Sequence, residues 1–180
     1  MNYDAAFKIC IFGDSGVGKT SIINRFVTNR FEQETKLTLG ADIMTKDIHL
    51  NNYKVKLQIW DFGGEERFKI FLPPYTLGSS GGIFMYDITR KSSLNSLEEW
   101  ISIFKKNLRE EESKIPILIV GNKKDLDHYR EIAFENAEYL AQTHYAYDVI
   151  ECSAKTGENA ENIFESLTYK MLENIDFIAM

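Results

Sequence analysis

Gly13-Asp14-Ser15-Gly16-Val17-Gly18-Lys19-Thr20 has the spacing G-x-x-x-x-G-K-[ST] without a gap, directly after the apolar run Phe7 to Phe12. A strand that ends in glycines and restarts as a helix aims a ring of backbone N–H groups, and the positive end of the helix dipole, at one point. Glycine is needed where phosphate oxygens come close to the backbone, because a Cβ would stand in the way. The octet therefore reads as a phosphate-binding loop. Ser15, Gly16, Val17, Gly18, Lys19, Thr20 and Ser21 form the cradle, Lys19 reaches the β- and γ-phosphates, and the Thr20 hydroxyl holds Mg²⁺. The plain alternative is a glycine-rich turn between a core strand and a helix. The octet alone does not say which nucleotide is bound.

Three further groups stand at the ends of predicted strands. Asp61-Phe62-Gly63-Gly64 fits D-x-x-G; Asp61 can hold Mg²⁺ through water, and Gly64 can offer its N–H to a γ-phosphate. Asn122-Lys123-Lys124-Asp125 fits N-K-x-D. The Asp125 carboxylate can accept from the N1–H and 2-amino group of guanine, neither of which adenine offers, so it selects GTP over ATP. Asn122 either contacts N7 or ties loops together, and the Lys123 stem can lie along the ring. Ser153-Ala154-Lys155 ends the last predicted strand, with the Ala154 N–H expected at the guanine O6 and Lys155 on the ring. Taken singly, each of the three is more ordinary as a turn.

Positioning these groups takes a particular set of elements. Ile83 to Tyr86, Ile117 to Val120 and Tyr147 to Ile150 are short apolar runs, as expected of strands covered on both faces. Between them, Leu94, Leu97, Ile101, Phe104 and Leu108 step by three and four, as do Ile163, Phe164, Leu167 and Met171. A weaker helix runs from about Glu131 to Thr143. Alternating strands and helices imply right-handed crossovers and a mostly parallel sheet. One part departs from this: Asp42 to Leu50, the Asn51-Asn52 turn and Tyr53 to Trp60 form a hairpin, so one edge strand is antiparallel. In such sheets ligands bind beyond the carboxyl ends of the strands, where all four motifs fall.

At 180 residues, 44% hydrophobic and 27% charged, the chain has the composition of one folded domain over 1–180, not of a disordered segment. A formal net charge of −6 argues against a nucleic-acid partner. With no apolar run near 18 residues and no signal-peptide pattern, the expected location is cytoplasmic. Cys10 and Cys152 read as small buried hydrophobes, and His49, His128 and His144 lack ligand spacing.

With its four motifs in this order, together with Trp60-Asp61, Glu66-Arg67-Phe68 and Tyr86-Asp87-Ile88-Thr89, the chain resembles the Ras superfamily of small GTPases, Rab branch, along essentially its whole length. The resemblance implies a P-loop NTPase fold of the α/β class, a three-layer sandwich with a six-stranded sheet and five helices. It also implies a GDP/GTP switch with Mg²⁺. Thr38 matches the switch I threonine that ligates Mg²⁺ and contacts the γ-phosphate, and Phe31 matches the aromatic packed against guanine. Lys19, Thr38, Gly64 and Glu65 then form the catalytic set. Ile43, Trp60 and Tyr75 match an apolar patch read by an effector, exchange factor or activating protein, the alternative being core packing between hairpin and switch II. The expected state is a monomer.

Several positions depart from the family pattern. Glu65 replaces the glutamine that orients the attacking water. A glutamate only accepts hydrogen bonds and adds negative charge beside an anionic γ-phosphate, so slow hydrolysis is expected. The opposite outcome follows if the carboxylate has a raised pKa and takes a proton. Ser15 is ordinary for the branch. No arginine is evidently placed as a finger in cis, and Thr35 stands in place of a common switch I tyrosine. Pro73-Pro74 should stop the switch II helix near Leu72. The final residues, Asn174 to Met180, contain neither a prenylatable cysteine nor a basic tract, so no intrinsic membrane anchor is expected. The switch II stretch is also similar to that of archaeal Ras-like GTPases. Two other readings stay open: a non-hydrolysing GTP-dependent interaction module, motivated by Glu65 and Thr35, and a P-loop kinase or ATPase, against which Asp125 argues.

Overall fold

The computed structural model describes residues 3–32, 37–70, 72–106, 108 and 115–175. Six strands, β1 (Ala5–Phe12), β2 (Ala41–Leu50), β3 (Tyr53–Phe62), β4 (Gly81–Asp87), β5 (Ile117–Asn122) and β6 (Asp148–Glu151), form one sheet in the order β2-β3-β1-β4-β5-β6. Only β2 runs antiparallel to its neighbour, with Ala41 opposite Phe62 and Leu50 opposite Tyr53. The hairpin pairs locally through its two-residue turn, whereas every other pairing needs a crossover, and crossovers make parallel pairs. Strands β4 and β5 are buried along their whole length, as strands covered on both faces must be.

Two apolar layers sandwich the sheet. On one face α1 (Lys19–Thr28) and α7 (Ala160–Asn174) pack Ile22, Phe26, Phe164 and Leu167 against the strands; the Phe26 and Phe164 rings stack at 3.9 Å. On the other face are α3 (Leu72–Thr76), α4 (Lys91–Asn95), α5 (Leu97–Lys105) and α6 (Phe134–Thr143). There Trp100 and Phe104 close over Phe12. A further short helix, α2 (Glu66–Lys69), precedes α3.

The described residues thus hold seven α-helical segments and a 3₁₀ helix, Lys124–Tyr129, where five helices were expected. Two expected helices are each cut in two. At Ser96 the backbone reaches φ −78°, ψ −1°, and its hydroxyl donates to the Ser93 carbonyl, separating α4 from α5. In switch II the expectation that the helix stops near Leu72 is corrected. The break falls after Lys69, and Leu72 opens a new helix containing Pro73 and Pro74. In a first turn the missing N–H costs nothing and the fixed φ is already helical, so proline starts this helix and does not end one. Thr35 and the last five positions, 176–180, lie outside the described residues. No helix among the described residues is long and apolar enough to cross a membrane.

Candidate functional site

The carboxyl ends of β1, β3, β5 and β6 surround a cavity of about 360 Å³. Its walls include Ser15, Gly16, Gly18, Lys19, Thr20 and Ser21 from the phosphate loop and Thr38, Gly64 and Glu65 from the two switch segments. Asn122, Lys123, Asp125, Ala154, Lys155 and Phe31 close the other end. Three expected site residues do not line the cavity. Val17 is a fully buried core side chain whose carbonyl accepts from Asn122 Nδ2 at 2.9 Å. Ser153 is buried, its hydroxyl donating to Asp125 Oδ1 at 2.6 Å. Asp61 is buried behind Thr20 and Thr38.

Two glycines show why the loop tolerates no side chain. Gly18 caps α1 at φ 98°, and a Cβ there would stand 2.2 Å from Asn122 Nδ2. A Cβ on Gly64 would meet the Ser15 nitrogen at 2.4 Å, because switch II lies directly on the phosphate loop.

At the phosphate end, Lys19 is buried and its ammonium donates to the Gly13 and Asp14 carbonyls at 2.8 and 2.9 Å. Burial lowers its pKa to about 8, against the opposing pull of Asp61 and Asp14. Thr20 Oγ1 lies 3.0 Å from Thr38 Oγ1, and these hydroxyls approach Asp61 Oδ2 at 2.5 and 3.3 Å. Burial raises the Asp61 pKa despite the hydrogen bonds from Thr20 and Thr38, and its Oδ1 is buried with no partner. Two hydroxyls and a carboxylate are hard oxygen donors of the kind Mg²⁺ takes, and the unpartnered Asp61 oxygen leaves an acceptor for a cation there. No group of three or more His, Cys, Asp or Glu among the described residues offers a metal site. The Thr20, Thr38 and Asp61 oxygens are instead a donor set that fits Mg²⁺ beside an anionic ligand. Glu65 Oε2 pairs with Arg67 Nε at 2.8 Å, while its Oε1 is buried and unpartnered.

At the base end the side chains are tied to one another. Asn122 bridges loops: besides Val17, it accepts from the Ala154 N–H at 3.1 Å, the same N–H expected at a guanine O6. Lys123, at φ 69°, sends its ammonium to Asp87 Oδ2 at 2.6 Å, so its stem runs along the cavity wall. Burial alone would raise the Asp87 carboxyl, but Lys123 and Thr89 hold it below the usual range. Asp125 Oδ2 is 4.0 Å from Lys155 Nζ. After Ser153 it keeps acceptor capacity for a base edge.

Sequence reasoning missed four positioning residues. Arg130 makes a bidentate pair with Glu151 at 2.6 and 2.8 Å and also donates to Asp127 Oδ1 at 2.7 Å, joining the N-K-x-D segment to the strand that leads into Ser153. Arg25 on α1 donates to the Ala154 and Lys155 carbonyls. Trp100 Nε1 donates to Asp14 Oδ1 at 2.8 Å, and Arg90 Nη2 to the Ser15 carbonyl at 2.7 Å. None carries a local motif.

Outside the cavity, Ile43 faces Trp60 across the hairpin, and the Trp60 and Tyr75 rings lie 5.8 Å apart. Ile43 and Tyr75 are exposed, while Trp60 is half-buried and packs against the apolar layer that contains α3 and α5.

Comparison with known proteins agrees with this arrangement. The Ras family model matches residues 8–173. GTP-binding protein ypt3 of Schizosaccharomyces pombe is 40% identical over 167 residues, covering 92% of this chain and 75% of its own length. Ras-related protein RABA1g of Arabidopsis thaliana is 38% identical over 164 residues, covering 91% and 73%. Ras-related protein Rab-11A of Dictyostelium discoideum is 36% identical over 165 residues, covering 92% and 75%. Four strand-end motifs around one cavity, a family match over nearly the whole chain and these identities lead to one conclusion: the chain belongs to the Ras family as a Rab-like GTPase, a GTP-binding switch protein working with GTP, GDP and Mg²⁺.

Proposed function

We propose that residues 1–180 form a single G domain that cycles between GDP and GTP, with slow intrinsic, Mg²⁺-dependent hydrolysis. The observation that carries this reading is the meeting of Lys19, Thr20, Thr38, Asp61 and Gly64 at one end of a cavity whose other end is framed by Asn122 and Asp125. In this reading the N–H groups from Ser15 to Ser21 and the Lys19 ammonium take the phosphates. Phe31, Asn122, Lys123, Asp125, Ala154 and Lys155 hold guanine, with Val17 and Ser153 acting through the loops they brace. Thr20, Thr38 and Asp61 hold Mg²⁺, which when bound neutralises charge on the β- and γ-phosphate oxygens.

Water attacks the γ-phosphorus, the bond to the β–γ bridging oxygen breaks, and GDP and inorganic phosphate leave. Glu65 stands where the water must be oriented. As an ionised carboxylate it accepts but does not donate, and it must leave Arg67 to act, which accounts for a slow step. Thr38 and Gly64 lose a γ-phosphate partner on hydrolysis, so both switch segments relax. Effector, exchange factor and activating protein read this difference at the Ile43, Trp60 and Tyr75 surface. The protein acts as a monomer in the cytoplasm, with no nucleic-acid partner.

The test is to denature purified protein, identify the released nucleotide, and then follow single-turnover phosphate release from bound GTP with and without Mg²⁺. GDP or GTP in the denatured sample, with slow Mg²⁺-dependent release, is expected. An adenine nucleotide sinks the reading. Glu65→Gln should speed release; an unchanged rate removes Glu65 from the catalytic set.

A further inference from the structure

Arg90 leaves the chain just beyond β4, in extended backbone at the head of α4, and returns to the phosphate loop. Its Nη2 donates to the Ser15 carbonyl at 2.7 Å, and its Nη1 is the atom nearest the place a Gly16 Cβ would occupy, at 3.8 Å. Its Nε is buried without a partner, and it forms no ion pair among the described residues. The guanidinium also adds to the field that lowers the Lys19 pKa, so its charge is felt at the phosphate end.

Ser15 has Arg90 on its carbonyl and Gly64 against its nitrogen. Glu65, the residue after Gly64, lines the same groove as Arg90, and its Oε1 is likewise buried and unpartnered. The groove is otherwise acidic: Asp14, Glu66 and Glu99 share it, and its other cation, Lys69, is already bonded to Glu66 and Glu99. One Glu65 oxygen, beyond the one paired with Arg67, and the Arg90 Nε, beyond the bond from Nη2 to Ser15, thus stand unpartnered on either side of one loop residue.

We propose that Arg90 is a positioning residue for hydrolysis supplied by the chain itself: it sets the phosphate loop at Ser15 and provides the positive charge that offsets Glu65 beside the γ-phosphate. The proposal rests on the GTPase reading above. It separates from a plain strut because a strut needs only the hydrogen bond to Ser15, whereas an offset for Glu65 needs the charge and matters only while a glutamate stands at position 65.

The experiment uses Arg90→Gln, which keeps a donor without charge, and Arg90→Lys, which keeps the charge, each with Glu65 and with Glu65→Gln. Affinities for GDP and a non-hydrolysable GTP analogue are measured by fluorescence, and phosphate release by single turnover. With Glu65 present, Arg90→Gln should leave GDP affinity within about 3-fold yet lower both GTP-analogue affinity and phosphate release by about 10-fold, the scale of supporting interactions around a reactive centre. Arg90→Lys should retain most of both, and with Glu65→Gln the loss should shrink to under about 3-fold. Wild-type behaviour of Arg90→Gln, equal losses in both backgrounds, or Arg90→Lys failing as badly as Arg90→Gln overturns the proposal. An unmutated protein that binds neither nucleotide removes the GTPase reading and this inference with it.

Discussion

The two ends of the nucleotide cavity are built on opposite principles. At the base end, Asn122, Lys123, Ser153 and Arg130 each bond a neighbouring loop or strand, and the buried side-chain polar atom there without a partner among the described residues, the Tyr86 hydroxyl beside Gly121, is neutral. Of the four such atoms without a partner, three belong to Asp61, Glu65 and Arg90 at the phosphate end. In the proposed reading, a frame whose charged groups are bonded to one another recognises the base with little rearrangement. Charged groups that each keep one unpartnered atom do the reverse: they favour binding of the ion and the anion that complete them. In the proposed reading, binding identity is set by the bonded end, and the switch by the end whose groups change partners.

The largest expected effect breaks the bonded end. Asp125→Ala removes the acceptor for the guanine edge, and discrimination of GTP over ATP should fall by about 10⁴-fold in competition binding, since a lost polar partner is the strongest source of rejection. Discrimination that survives would transfer base recognition elsewhere in the cavity.

Chelating Mg²⁺ should act on the other end alone. GDP release should speed up by about 10²-fold, matching a few kcal/mol of charge neutralisation, while preference for guanine over adenine stays unchanged. If chelation also erodes base preference, the two ends are not independent.

Arg130→Ala gives a sharper comparison, because it loosens the frame without touching the ligand. Losing a charge-assisted bidentate pair should raise the GDP release rate by about 10-fold, equally with and without Mg²⁺. A Mg²⁺-dependent effect would place Arg130 in the phosphate machinery instead.

The smallest effect is on stability. Asp61→Asn removes a buried charge, so the nucleotide-free protein should melt roughly 2–4 °C higher, the equivalent of about 1 kcal/mol. The same variant should lose the slowing of GDP release by Mg²⁺. A lower melting temperature would mean that Thr20 and Thr38 already compensate the carboxylate.

Legibility followed the range of the contacts. Motif residues were readable because each group is contiguous and sits where a strand must end: Gly18 through Lys19 to Thr20, Asp61 to Gly64, Asn122 to Asp125. The hairpin was readable from alternation of Val55, Leu57 and Ile59 across a two-residue turn. The divided helices were less so, because Ser96 and Pro73-Pro74 act through local backbone geometry that the spacing of Leu94, Leu97 and Ile101 does not record.

The amino-acid order by itself determined a parallel sheet with its chemistry at the strand ends, the guanine and phosphate motifs, and the anomaly at Glu65, since all of these lie in short stretches of neighbouring residues. Only the tertiary structure decided that Arg90 reaches Ser15 across 75 residues, Trp100 reaches Asp14 across 86 and Arg25 reaches Ala154 across 129. Those bonds depend on which loops the crossovers bring side by side, and a lone arginine or tryptophan carries no spacing from which its distant partner can be read.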